Sequence, residues 1–210
     1  MQDLLSTGDD ALDRFCNGGI PPGSLIAMEA PPGTQTESLL WTMMNQRKTV
    51  YITTLRSKGA VQADVDRYVD VRDNAYRVQD AGIDTPIENA SGVIELVDDQ
   101  VNLFIDTANP LEETDDRDRY VKFLNRLKTH LVNTGGVGLL VCTKSDAHLP
   151  GREYTLTIAD IVWEIHTVVD SASVENYLQM RKFRGRRVPD DNLKLILGER
   201  LRIDTSRDIA

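Results

Sequence analysis

An α/β fold is what this sequence of 210 residues predicts: a mostly parallel sheet with helices on both faces and an antiparallel β extension toward the C-terminus. Three observations carry that expectation. Short apolar runs alternate with stretches whose apolar residues recur at helical spacing. Strands joined through helices pair in parallel and are covered on both faces, which suits runs this apolar. Beyond residue 174 the helical spacing stops, and strand-like segments follow one another with turn residues between them.

Each element has a local reason. Residues 25–29 form an apolar run after the turn-rich Gly18-Gly19-Ile20-Pro21-Pro22-Gly23 and read as the first strand. A helix follows from about Thr36, with Leu39, Leu40, Met43 and Met44 on one face. Residues 49–54 are rich in β-branched side chains and make a second strand. Val61, Val65, Tyr68 and Val69 return to helical spacing. Between residues 77 and 99 the pattern is ambiguous, allowing a short strand over 77–79 and a short helix over 93–96. Residues 101–105 are a buried strand ending at Asp106. The next helix has the clearest signature. Tyr120, Phe123, Leu124, Leu127 and Leu131 form one stripe, Asp115 and Asp116 favour its N-terminus, and Gly135 can end it. Residues 137–142 and 161–165 are further strands, separated by a short helix near 154–159. The tail supplies strands over 174–183, 193–197 and 201–204, with turns at 185–191 and 198–199.

Length and composition predict one domain over residues 1–210. No apolar stretch reaches 18 residues and the first residues lack a basic, then apolar, pattern, so neither a membrane span nor a signal peptide is expected. Two cysteines, Cys16 and Cys142, read as small buried hydrophobes in a reducing compartment, which predicts a cytoplasmic protein. Net charge is −9, with 23 Asp against 10 Glu and 17 Arg against 7 Lys. An acidic, lysine-poor surface is expected of a halophilic chain kept soluble in concentrated salt, although an ordinary acidic protein has the same balance. It argues against nucleic acid spread over the whole surface.

The stretch Ala30-Pro31-Pro32-Gly33-Thr34-Gln35-Thr36-Glu37 lies between a strand and a helix, where a phosphate-binding loop belongs. Such a loop needs glycines that free backbone amides, a lysine for the β- and γ-phosphates and a hydroxyl for Mg²⁺. Laid on the G-x-x-x-x-G-K-[ST] pattern, those four positions hold Ala30, Gln35, Thr36 and Glu37. Leu5-Ser6-Thr7-Gly8 with Ala11-Leu12-Asp13-Arg14, then Gly18-Gly19-Ile20-Pro21-Pro22-Gly23-Ser24, resembles the opening of the KaiC-type and archaeal RecA-like ATPases. Pro31-Pro32-Gly33-Thr34 continues the likeness, and Ala159-Asp160-Ile161-Val162 with Arg181-Lys182-Phe183-Arg184-Gly185 resembles that family's closing strands.

This resemblance implies a RecA-like fold with a degenerate Walker A loop at Pro32, Gly33, Thr34, Gln35, Thr36 and Glu37. It implies a Mg²⁺-holding role for Asp106, which is equally readable as a plain turn residue. The family's catalytic glutamate follows the second strand, and Tyr51-Ile52-Thr53-Thr54-Leu55-Arg56 holds no carboxylate. Hydrolysis is therefore not expected, and neither is a cofactor. Weak binding of ATP with Mg²⁺ stays open, because base and ribose contacts do not depend on the loop. Glu37 also suits the first turn of a helix.

Arg181, Lys182, Arg184, Arg186 and Arg187 cluster in seven residues of an acidic chain. They suit a solvated hairpin balanced by Asp190 and Asp191, or a contact to nucleic-acid phosphate. The resemblance adds a third reading, in which Lys182 and Arg184 reach the nucleotide of a neighbouring subunit. The expected partners are therefore proteins, in a homo- or hetero-oligomer with RecA-like subunits. Nucleic acid is less favoured, including at the short 143–153 loop with Lys144, His148 and Arg152. His130, His148 and His166 are too scattered for zinc, and His166 is expected in the core. Trp41 and Trp163 are expected to pack.

Overall fold

The computed structural model describes residues 3–70, 76–171 and 173–204. The expected single domain over 1–210 also takes in residues 1, 2, 71–75, 172 and 205–210, which lie outside the described residues. Six parallel strands come first: β1 (Leu25–Ala30), β2 (Thr49–Thr53), β3 (Tyr76–Asp80), β4 (Asn102–Asp106), β5 (Val137–Thr143) and β6 (Ile161–Val169). Antiparallel β7 (Val174–Phe183), β8 (Leu193–Ile196) and β9 (Arg202–Asp204) extend the sheet beyond β6. Among the described residues the order is β3-β2-β4-β5-β1-β6-β7-β8-β9. The helices are α1 (Asp10–Phe15), α2 (Glu37–Met44), α3 (Lys58–Tyr68), α4 (Pro86–Ile94), α5 (Asn109–Glu112), α6 (Arg117–Thr134) and α7 (Arg152–Ile158).

Strand periodicity divides the core into two layers. Met28, Tyr51, Phe104 and Trp163 face one side, where Leu39, Leu40 and Met43 of α2 and Val61 and Val65 of α3 cover them. Ala27, Ile52, Leu103 and Leu140 face the other, under the apolar stripes of α4 and α6, with α7 at the margin. The α6 stripe of Tyr120, Phe123, Leu124, Leu127 and Leu131 is wholly buried. Asp116 caps its first turn and Gly135 ends it at φ +67°, as the sequence predicts. The chain thus leaves β1 toward one face and β5 toward the other, although the two strands are neighbours. That divergence creates a crevice at their C-terminal ends.

Departures from the sequence reading have physical reasons. The helix expected over 93–96 begins earlier, with Pro86 in its first turn and Ile87, Ala90 and Ile94 buried. Ser91 and Gly92 hide that stripe from propensity. α1 is held by its lead-in: Asp9 caps it, while Asp13 accepts from the Thr7 amide and hydroxyl and from the Ser6 hydroxyl at 2.6–2.7 Å. Gly8 has φ +95°, and a Cβ there would lie 2.6 Å from the Thr42 carbonyl oxygen, so this lead-in requires glycine. The β6–β7 hairpin runs past the helices, which leaves His166 with 42% of its side chain exposed instead of in the core. Trp41, Trp163, Cys16 and Cys142 are buried, and both cysteines are free thiols. No helix among the described residues is long and apolar enough to cross a membrane.

Candidate functional site

The segment between β1 and α2 is a closed turn. The Thr34 amide donates to the Pro31 carbonyl at 3.2 Å, with Pro32 second in the turn and Gly33 third at φ +81°. This is type II geometry, in which proline presets one dihedral and glycine supplies the positive one. The Thr36 amide donates back to Thr34 at 2.8 Å. Two prolines have no amide to offer, and the amides of Thr34 and Thr36 are engaged within the loop. Gln35 precedes the helix, Thr36 is its buried N-cap without a side-chain capping bond, and Glu37 begins its first turn.

Glu37 faces the ends of β2 and β4. Its carboxylate lies 3.8 Å from the Arg56 guanidinium, which also pairs with Asp64 of α3. Asp106 ends β4 and accepts a hydrogen bond from the Tyr51 hydroxyl. Burial pushes the Asp106 carboxyl above its ordinary value and Glu37 adds to the rise, while the Tyr51 bond and Arg56 oppose it. A carboxyl raised on folding stabilises the fold below its ordinary value of 3.8 and loses that contribution as pH climbs through the raised value. Asp106→Asn keeps an oxygen for Tyr51 and removes the charge. Its urea midpoint is expected to match the native one near pH 4 and exceed it at pH 7.

A second constellation occupies the crevice. A cavity of about 850 Å³ opens between the Pro31-Pro32 turn and the loop that follows β5. Glu29 and Glu164 sit side by side on its floor, in register on β1 and β6. Arg152 holds Glu29 at 3.2 Å and the fully buried Glu112 at 2.7 Å. Thr155 donates to Glu112 at 2.6 Å and shares a 2.7 Å hydrogen bond with the Tyr120 hydroxyl. Glu164 accepts from Lys144 at 2.5 Å and from Arg181 at 2.7 Å. Burial would push the Glu164 carboxyl up, but these two cations outweigh it and hold it below its ordinary value. The β6–β7 pairing shifts register between Val162, opposite Lys182, and Trp163, opposite Met180. Arg181 is the extra residue of that bulge, and bulges re-aim side chains.

The basic run is thereby dispersed. Arg181 lines the crevice. Lys182 donates to the carbonyls of Leu156 and Thr157, and Arg184 to those of Thr157, Ile158 and Ala159 and to Asp160. Together they satisfy the open C-terminal end of α7. Arg186 lies over the Phe183 ring, and the exposed Arg187 pairs with Asp190 at 2.5 Å.

A family model described as a family of unknown function (DUF7125) matches residues 4–210. The chain belongs to that family. Among solved structures, the DUF7125 chain is similar to the KaiC-like protein PH0186 from the hyperthermophilic archaeon Pyrococcus horikoshii OT3. The TM-score is 0.73 at 15% identity, covering 95% of this chain and 98% of that one. At that identity the likeness establishes the RecA-like fold and nothing finer. No curated protein sequence matches the chain.

Sequence reasoning placed the loop and Asp106 near one another but missed Tyr51, Arg56 and the crevice. The crevice had two signals: the 143–153 loop with Lys144, His148 and Arg152, all of which line it, and its two glutamates. Glu29 and Glu164 are single carboxylates inside the otherwise apolar runs 25–30 and 161–165, a position charge occupies only when paired.

Proposed function

We propose that this DUF7125 chain is a non-hydrolysing RecA/KaiC-like regulatory or accessory protein that acts by assembling with protein partners. The observation that supports this reading is the charge arrangement around Asp106. Glu37 stands at the head of α2, Arg56 neutralises it from the position after β2, and the Tyr51 hydroxyl occupies an Asp106 oxygen. These residues do not suit a triphosphate with Mg²⁺. No lysine faces the phosphate position in the loop, two loop amides are engaged, and Glu37 would repel phosphate oxygens. Phosphoryl transfer depends on positioning and charge stabilisation, and each missing group contributes roughly 10²-fold or more.

Assembly with RecA-like subunits is the partner class the fold suggests. Lys182 and Arg184 would reach a neighbour's nucleotide only by exchanging their bonds to α7, so the altered loop carries the reading and they do not. The test is calorimetry with Mg-ATP and Mg-ADP, together with phosphate release, for the native chain and Glu37→Ala. Concentrated KCl is the medium, since the acidic, lysine-poor composition supports a halophilic origin. The native chain is expected to give neither binding heat nor turnover. Mg²⁺-dependent turnover that Asp106→Asn abolishes would replace this reading with that of a residual ATPase.

A further inference from the structure

We propose that Asn17 is a self-modification site: its side chain condenses with the Gly18 amide and loses ammonia, and the fold holds this reaction back until the end of α1 opens. Asn17-Gly18 is the one Asn-Gly step in the sequence. Glycine has no Cβ to shield the attacking nitrogen. Asn17 is exposed, so water reaches the step. The Gly18 nitrogen bonds to Cγ of Asn17, the Cγ–Nδ2 bond breaks, and Nδ2 leaves as ammonia with the proton of the Gly18 amide. Water then reopens the ring. Attack at Cγ leaves aspartate, and attack at the Asn17 main-chain carbonyl carbon leaves isoaspartate.

In the folded chain both reacting groups are engaged. α1 ends in a Schellman arrangement, with the Asn17 amide donating to the Arg14 carbonyl at 3.0 Å and the Gly18 amide to the Asp13 carbonyl at 2.8 Å. Asn17 takes the left-handed position, at φ +56°, that glycine usually fills and asparagine tolerates. Its Nδ2 donates to the Arg187 carbonyl at 3.2 Å, in the 184–192 connection between β7 and β8. The attacking nitrogen is therefore the donor that closes the helix, and the leaving nitrogen is the donor that ties down the connection. Reaction requires both bonds to break, which local opening at the end of a six-residue helix provides. The product cannot remake the second bond. A carboxylate has no proton to offer the Arg187 carbonyl, and it puts negative charge at the C-terminal end of α1, where the helix dipole disfavours it. Release of the connection that carries Arg186 and Arg187 is thus one-way.

The experiment incubates the full chain in mildly alkaline buffer, folded and in concentrated urea, and follows every asparagine by peptide mapping with an isoaspartate assay. In urea, Asn17 is expected to convert ahead of all other asparagines. In the folded chain its conversion is expected to be slower by about tenfold or more, the factor of a local opening of about 1.4 kcal/mol. Asp13→Asn weakens the bonds from Ser6 and Thr7 that hold the lead-in to α1. With its circular dichroism unchanged, it is expected to raise the folded rate several-fold and to leave the rate in urea as it was. Asn17→Asp reproduces one product at an exposed position, and is expected to speed tryptic cleavage after Arg187 several-fold. Equal conversion in the folded chain and in urea, earlier conversion of another asparagine in urea, a folded rate untouched by Asp13→Asn, or unchanged cleavage in Asn17→Asp overturns the proposal.

Discussion

Arg152→Met is expected to lower the free energy of unfolding by about 3–5 kcal/mol, the scale seen when one partner of a buried ion pair is removed. The Arg152 side chain is 14% exposed and bonds to Glu112, Glu29 and the Thr143 carbonyl. Burial alone would lower its basicity, but hydrogen bonding and attraction from Glu112, with help from Glu29, raise it instead. Methionine fills much of the same volume and leaves Glu112 at zero exposure without its cation, with Thr155 as its remaining strong donor. Gly151 makes rearrangement difficult, since its α-carbon is packed so that even a Cβ would lie 2.7 Å from the Glu112 backbone. Domains of this kind are stable by about 5–15 kcal/mol, so the loss is a large share of the total. Urea unfolding followed by circular dichroism measures it.

The companion variant decides the cause. Arg152→Met with Glu112→Gln removes both charges and keeps an oxygen for Thr155, so most of the lost stability is expected to return. Contacting residues couple in this way, and the two substitutions are not additive. A single-variant loss below about 1 kcal/mol would mean that water already solvates the cluster, as it does at exposed pairs.

What the sequence disclosed and what it hid follow from the range of the interactions involved. α6 is legible because its stripe repeats for 18 residues and is bounded by a capping aspartate and a left-handed glycine. α1 spans six residues with Leu12 and Phe15 as its buried anchors, too short for a period to show. The strand–loop–helix position of residues 30–37 is local, so the altered loop is legible as well. Its electrostatics are not, because Arg56 meets Glu37 only through the packing of α2 beside β2. The Glu29–Glu164 floor depends on β1 pairing with β6 across 135 residues of chain, and no local pattern encodes that register. The basic run at 181–187 misleads for the opposite reason. Residues adjacent in a strand point to opposite faces, and the bulge at Arg181 scatters them further.

Asp160→Ala is expected to cost about 2–3 kcal/mol, less than Arg152→Met because two of its partners can rehydrate. One Asp160 oxygen accepts from the Leu25 amide at 2.9 Å and from Lys128 at 2.7 Å, and the other from Arg184 at 3.0 Å. The aspartate is 13% exposed and ties the first residue of β1 to α6 and to the end of β7. Alanine strands the Leu25 amide and leaves two cations facing one another. Asp160→Asn retains one acceptor and is expected to recover about half the loss. Lys182→Ala with Arg184→Ala separates capping from a role in trans. Loss of the bonds to the α7 carbonyls is expected to cost about 1 kcal/mol in the isolated chain, since cations at a helix C-terminus contribute on that scale. A stability loss with unchanged turnover and assembly of a RecA-like partner places the pair in the fold of its own chain. Unchanged stability with impaired partner turnover places it in the neighbour's site, where the bonds to α7 would be what assembly releases.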